Sequence, residues 1–191
     1  FDMNSFLSIL YDSKNTFDYL DNKFSEQLNK ISIFLFFSYG LLTPFVLEMP
    51  EGTVLITDNP QIILLIKTLT STFSGVLSVI LYKYIITNIL FGIGKLLRGK
   101  SEWIDIQTVV AYSLIPIILL KLIYWAPFNY GLIPIWILMI TNSIILIISA
   151  KIMIQGLMKF NQFGITKSIL NYSPILLISV LESILVWYNM F

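Results

Sequence analysis

The sequence contains no cysteine and no histidine, and only 12% of its 191 residues are charged. Without cysteine there is no disulfide, no thiolate nucleophile and no thiol to report on a redox compartment. Without histidine the imidazole base is gone, and the commonest zinc sites go with it. A Ser/His/Asp, Cys/His or metal-ligand set therefore lacks its essential members, and neither catalysis nor a cofactor is expected. Carboxylate pairs occur only in the polar stretches, as Glu48/Glu51 and Glu102/Asp105, where solvated surface is the ordinary use. The net charge of +1 excludes nucleic acid as a partner, because phosphate binding needs clustered excess Lys and Arg.

What remains is apolar: 57% of the residues are hydrophobic and the mean hydropathy is +0.82. A soluble domain carries about 25% charged residues. Half that charge leaves too little polar surface to face water all round, so part of the solvent is lipid. The expected fold is all-α: a polytopic membrane protein of one structural unit, with five transmembrane helices and an N-terminal amphipathic helical segment.

Residues 1–30 form that segment. Phe6, Ile9, Leu10, Phe17, Leu20, Phe24 and Leu28 share a stripe at helical spacing, with Lys14, Asp18, Asp21, Lys23 and Glu26 elsewhere. One or two helices lying on the membrane or against the bundle are expected. No small-residue cleavage site follows, so no cleavable signal peptide is expected, and Phe1 leaves a longer native N-terminus open.

The membrane domain spans 31–191, with crossings at about 31–47, 61–90, 106–124, 132–154 and 168–190. Asp58-Asn59-Pro60 reads as a capped helix start. The apolar stretch from Gln61 to Gly94 is roughly 50 Å long, against ~30 Å of hydrocarbon, so its Lys83–Gly94 end is expected to project into water. Gly92, Gly94, Lys95, Arg98, Gly99 and Lys100 read as a basic loop, and Ala126–Gly131 as an aromatic turn. Pro116, Pro134 and Pro174 are expected to interrupt the last three spans.

Lys14, Lys23, Lys30, Lys95, Arg98, Lys100, Lys151, Lys159 and Lys167 all fall on one side of this threading, and Lys121 alone on the other. The asymmetry sets the N-terminus in the cytoplasm and the C-terminus outside. Trp125, Trp136 and Trp187 gather near the outer face and Trp103 near the inner, as an aromatic belt does.

Several residues stand out inside the spans. Glu182 is the only acid in a span, roughly 12 Å from the outer surface, and Lys67 has a similar depth. Because charge in lipid is costly unless paired, Glu182 and Lys67 are expected to pair between spans two and five. Lys121 and Lys83 are expected to snorkel to the headgroups. Span two carries Ser71, Ser74, Gly75 and Ser78, small residues one turn apart that allow close helix approach or self-association. With Thr68 and Thr72 they also offer a polar lining. Gly92, Gly94, Gly99, Lys100 and Ser101 match a phosphate-binding loop only weakly, since such a loop follows a buried strand. Lys95, Arg98 and Lys100 fit anionic lipid headgroups or a partner protein better. Pro116 frees a carbonyl near Tyr112 that Ser113 is placed to satisfy.

Three stretches carry a resemblance: 92-GIGKLLRGKSEWIDIQTVVAYSLIP-116, 155-QGLMKFNQFGITKSILN-171 and Asp-Ser-Lys-Asn-Thr-Phe at 12–17. The glycine-rich basic loop, amphipathic lead-in and Ala-Tyr-Ser-Leu-Ile-Pro of the first, with Gly99, Tyr112, Ser113 and Pro116, resemble the Yip domain family of Ypt/Rab-interacting-protein-like integral membrane proteins. The second is similar to that family's last cytoplasmic loop, and the third to the opening helix of its bacterial members. The resemblance implies five spans with the N-terminus inside. The longer N-terminal region of eukaryotic members has no counterpart here, which implies a bacterial-type member of the inner (cytoplasmic) membrane. The expected function is a non-enzymatic adaptor or accessory subunit of a membrane complex, an ABC-type exporter or secretion assembly. Its partners are the lipid bilayer and other membrane proteins. The alternative is a small transporter or lipid-handling protein that uses the polar face of span two and Glu182.

Overall fold

A computed structural model of the chain describes residues 3–46, 60–129 and 134–190, and every regular element among them is helical. Helices α1 (Met3–Tyr11) and α2 (Ser13–Asp21) precede α3 (Ser25–Val46). Helix α4 (Pro60–Ile80) continues through a π-helical turn, Leu81–Ile86, into α5 (Thr87–Leu96). Helices α6 (Trp103–Ser113) and α7 (Ile115–Asn129) are separated at Leu114, and α8 (Ile135–Asn161) and α9 (Ile165–Met190) complete the chain.

Among the described residues, three stretches are long and apolar enough to cross a membrane: Gln61–Leu96, Trp103–Ile123 and Ile140–Asn161. Ile165–Ile178 is a shorter apolar stretch. The chain is thus an all-helical, polytopic membrane protein. Its helices divide the work unequally: of an apolar 18-residue stretch within Trp103–Ile123, 72% is buried inside the protein, against 11% for that within Gln61–Leu96. Helices α6 and α7 form the centre, while α4 turns Leu64, Leu65, Leu69 and Phe73 outward, an exposed apolar face suited to lipid.

The inner face of α4 packs on α3. Ser71 and Gly75 are buried there, Ser78 nearly so and Ser74 partly. The Ser71 hydroxyl donates to the Leu41 carbonyl. Gly40 of α3 sits against Ser78 and the Ser74 carbonyl, and a Cβ on Gly75 would lie 2.7 Å from the Phe37 ring. The small-residue face is thus occupied within the chain and is not left free for a second copy. Thr68 and Thr72 lie on the exposed side of α4 and bond back to the Leu64 and Thr68 carbonyls (2.8 and 2.9 Å).

Other features depart from the sequence reading for physical reasons. Gly92, Gly94 and Lys95 belong to α5 rather than to a loop, which leaves only 97–102 irregular. A helical glycine costs about 1 kcal/mol, and the burial of Leu90 one turn earlier outweighs it. Pro134 stands just before α8 and does not interrupt it; Pro116 falls in the first turn of α7, where its missing N–H is harmless. Pro174 does lie inside α9. The Ser113 hydroxyl donates to Val110 (2.8 Å), and Ser149 of α8 donates to the Ser113 carbonyl (2.6 Å), so a neighbouring helix closes the break. Lys121 does not reach outward. Its Nζ donates to Thr43 Oγ1 (2.6 Å) and to the Tyr39 carbonyl (3.3 Å), and sits 3.7 Å from the centre of the Tyr39 ring.

The π-helical turn carries Lys83, whose ammonium lies 5.5 Å from the Tyr84 ring centre. Its neighbour Tyr82 packs on Phe36 and Tyr39, and Thr87 Oγ1 donates to the Tyr82 carbonyl at 2.8 Å. Helix α7 continues to Asn129, so the turn read over Ala126–Gly131 is helical up to Asn129 and its remainder lies outside the described residues. Glu48, Glu51, Asp58 and the side chains of Trp125, Trp136, Trp187 and Glu182 also lie outside them, and with Glu182 the expected Lys67 pair.

Gly40→Ala forces a Cβ into the α3–α4 contact and is expected to cost about 1–3 kcal/mol. Gly92→Ala meets nothing within 4 Å and is expected to add about 0.5–1 kcal/mol. Unfolding of both variants in detergent checks the pair; equal effects would contradict the packing.

Candidate functional site

The three stretches that carry the family resemblance converge at one end of the bundle. The stretch 12–17 begins with Asp12, which caps α2 by accepting the Asn15 N–H at 3.3 Å and the Asn15 side-chain amide at 2.6 Å. Capping starts α2 in a register that buries Ser13, Thr16, Phe17 and Leu20. The stripe read from the sequence is largely the buried one, with Phe24 the exception at 79% exposed.

Phe17 then joins the other two stretches. Its ring centre lies 6.5 Å from that of Tyr112 on α6 and 5.9 Å from that of Phe160 on α8, the latter edge-on. Gly156 makes room for this cluster, since a Cβ there would come within 2.6 Å of Val109 and 2.9 Å of Phe17. At the rim Lys159 pairs with Asp18 (2.6 Å) and Asp21 (3.4 Å), fixing α2 to α8 by charge as well as by aromatic packing.

Asn161, the last residue of α8, holds the loop between α5 and α6. Its Oδ1 accepts the Ser101 hydroxyl at 2.7 Å in a buried setting, and its carbonyl accepts the Lys100 N–H at 3.4 Å. Gly99 lies so close to the Asn161 amide that no side chain fits. A Cβ on Gly94 would stand 3.1 Å from Asn161 Oδ1 and 3.2 Å from Asn171 Nδ2. The Asn171 amide is fully buried beside them, with no hydrogen-bond partner on either atom. Arg98 adopts the left-handed conformation (φ 67°) that lets the chain leave α5, and the Gly99 N–H returns to the Gly94 carbonyl at 2.7 Å.

Helix α6 starts from this loop. Asp105 accepts the Glu102 N–H at 2.7 Å, so one of the two acids acts as a helix cap. Trp103 Nε1 donates to Asn88 of α5 at 2.8 Å, and Gln107 Nε2 to Asn29 of α3 at 3.0 Å. Between α2, the loop and the end of α8 opens a cleft of about 400 Å³. Asp21, Lys100, Glu102, Asp105, Lys159 and Gln162 line it with both signs of charge. Among the described residues no group of three His, Cys, Asp or Glu is arranged to hold a metal.

The candidate residues are thus distributed unevenly. Gly99, Lys100 and Tyr112 lie at this junction and Ser113 and Pro116 at the break below it, whereas Ser71, Ser74, Gly75 and Ser78 lie in the α3–α4 contact. Lys95 turns back on its own loop, 3.4 Å from the Gly99 carbonyl and 5.2 Å from the Phe91 ring centre. Ser101 is spent on Asn161, which removes the hydroxyl that a phosphate-binding loop would offer a metal. Sequence reading missed Asn161, Asn171 and Gln107; their one signal is an amide in apolar surroundings.

The family model that matches the chain is the Yip1 domain, over residues 8–187. None of the curated proteins and none of the solved structures matches it.

Gly99→Ala is expected to cost about 1–3 kcal/mol by overpacking, and Asn161→Ala a similar amount through the orphaned Ser101 hydroxyl. In the double variant the obstacle is gone, so its cost should fall below the sum by about 1 kcal/mol. Additive losses in a thermal-unfolding cycle would show that the loop does not rest on Asn161.

Proposed function

Because the chain belongs to the Yip1 domain family, whose members are non-enzymatic membrane trafficking proteins, we propose that it is an adaptor or accessory subunit of a membrane protein complex, an exporter or secretion-related assembly. The observation that carries this reading is the convergence of residues 12–17, 92–116 and 155–171. Segments far apart in sequence are held together by Phe17, Lys159 and Asn161 into one polar end with a mixed-charge cleft. A pre-organised surface of this kind loses little entropy on docking.

In this reading the protein crosses the bacterial inner membrane five times, at about 31–47, 61–90, 106–124, 132–154 and 168–190, after a cytoplasmic segment, 1–30. The C-terminus is outside and the cleft faces the cytoplasm. The nine basic residues on one side of that threading support the orientation. Complex formation then takes place at the cytoplasmic face, next to headgroups.

The chain has no cysteine, so single-cysteine variants report sidedness directly. Lys100→Cys is expected to react with an impermeant maleimide only from the cytoplasm, and Pro134→Cys only from outside; the reverse pattern overturns the topology. Gentle solubilisation from native membranes should bring down another membrane protein at fixed stoichiometry, and Asp21→Lys with Glu102→Lys should release it while the protein stays in the membrane. Recovery of a monodisperse protein carrying lipid alone contradicts the adaptor reading.

A further inference from the structure

On the side of α8 away from α6 runs a trough of about 750 Å³, within the about 300–1,000 Å³ that ligand clefts occupy. Ile147, Ile154 and Met158 form its apolar wall, and Lys14 of α2, Lys151 and Lys159 stand along it. Among the described residues no carboxylate lines it. Lys159 is already held by Asp18 and Asp21, whereas among the described residues Lys14 and Lys151 form no ion pair. Two uncompensated cations beside an apolar wall are complementary to an amphiphile with a negative head.

The wall is continuous with the lipid-facing surface. Ile140, Ile144 and Ile147 are each more than half exposed and, with Lys151, follow at intervals of three and four, so they share one face of α8. From Ile140 to Lys151 the helix rises roughly 16 Å, close to half of the ~30 Å hydrocarbon core. The apolar stripe therefore has the length of one leaflet and ends at a lysine. Gln155 also lines the trough, and its Oε1 is buried without a hydrogen-bond partner.

We infer that this trough is a binding site for an anionic phospholipid. The phosphate lies between Lys14 and Lys151, and an acyl chain runs down Ile147, Ile144 and Ile140. The bound lipid would tie α2 to α8. The inference is independent of the adaptor reading and needs only that the protein sits in a bilayer.

Native mass spectrometry of the purified full-length protein tests it, with dioctanoyl phosphatidylglycerol and dioctanoyl phosphatidylcholine titrated in parallel. Wild type is expected to bind the phosphatidylglycerol about tenfold more tightly than the phosphatidylcholine. The exposed pair Lys14→Gln and Lys151→Gln should erase that preference while leaving phosphatidylcholine binding and thermal unfolding unchanged. Lys95→Gln, Arg98→Gln and Lys100→Gln together remove more charge elsewhere and should alter it less than about twofold. Equal binding of both lipids by wild type overturns the site. A preference that survives the double variant, or that follows the loop triple instead, overturns it as well.

Discussion

Hydrocarbon accepts no hydrogen bonds, so each polar group that this chain carries into the membrane has to be met from within the protein. That constraint explains more of the structure than the apolar residues do. Lys121 is anchored on Thr43 and Tyr39, Ser71 on the Leu41 carbonyl, and Ser149 on the carbonyl of Ser113. Each of these bonds joins two helices whose apolar surfaces alone would slide with little preference for register. The outward-facing Thr68 and Thr72 solve the same problem locally, by bonding to their own helix. Where helices approach most closely, glycine does the complementary work: Gly40 and Gly75 remove the side chains that would hold α3 and α4 apart.

The same logic operates with more polar groups at the end where α2, the α5–α6 loop and α8 meet. Asn161 is both a spacer, because Gly99 rests on its amide, and a hydrogen-bonding hub for Ser101 and Lys100. Phe17 supplies apolar adhesion beneath, and Lys159 with Asp18 and Asp21 supplies charge at the rim. Exposed ion pairs are worth little alone, about 0–1 kcal/mol. Here the pairs orient a helix that aromatic packing already holds. The result is a cross-linked polar patch on a non-enzymatic membrane protein of the Yip1 domain family.

The helices were legible because periodicity and apolar runs report local preference. The amphipathic stripe of residues 1–30 is an example: Ile9, Phe17, Leu20 and Leu28 are all buried. The small-residue face of α4 was legible too, though not its occupant, since spacing names a face without naming the helix that covers it. Lys121 illustrates the limit. Its depth suggested snorkelling, but the choice between headgroups and Thr43 depends on α3, about 80 residues away in sequence. Asn161 was missed for the same reason, since an amide at a helix end looks solvated until a second loop closes over it, while Asn171, inside α9, showed only as an amide among apolar neighbours. Pro134 and the α5 glycines erred in opposite directions, one read as a break and the others as a loop. At α5 the burial of Leu90 carries the helix through the glycines, whereas Pro134 stands at the cap of α8.

The central claim is that the polar end is where a protein partner docks. Photo-cross-linking in intact membranes tests it most directly, with a benzophenone amino acid in place of Lys100, Glu102 or Gln162 at the cleft, or of Leu69 on the outer face of α4. The account predicts one discrete protein adduct from the three cleft positions and only lipid adducts from Leu69. Lipid adducts alone at all four positions, or the same protein adduct from Leu69, would contradict it.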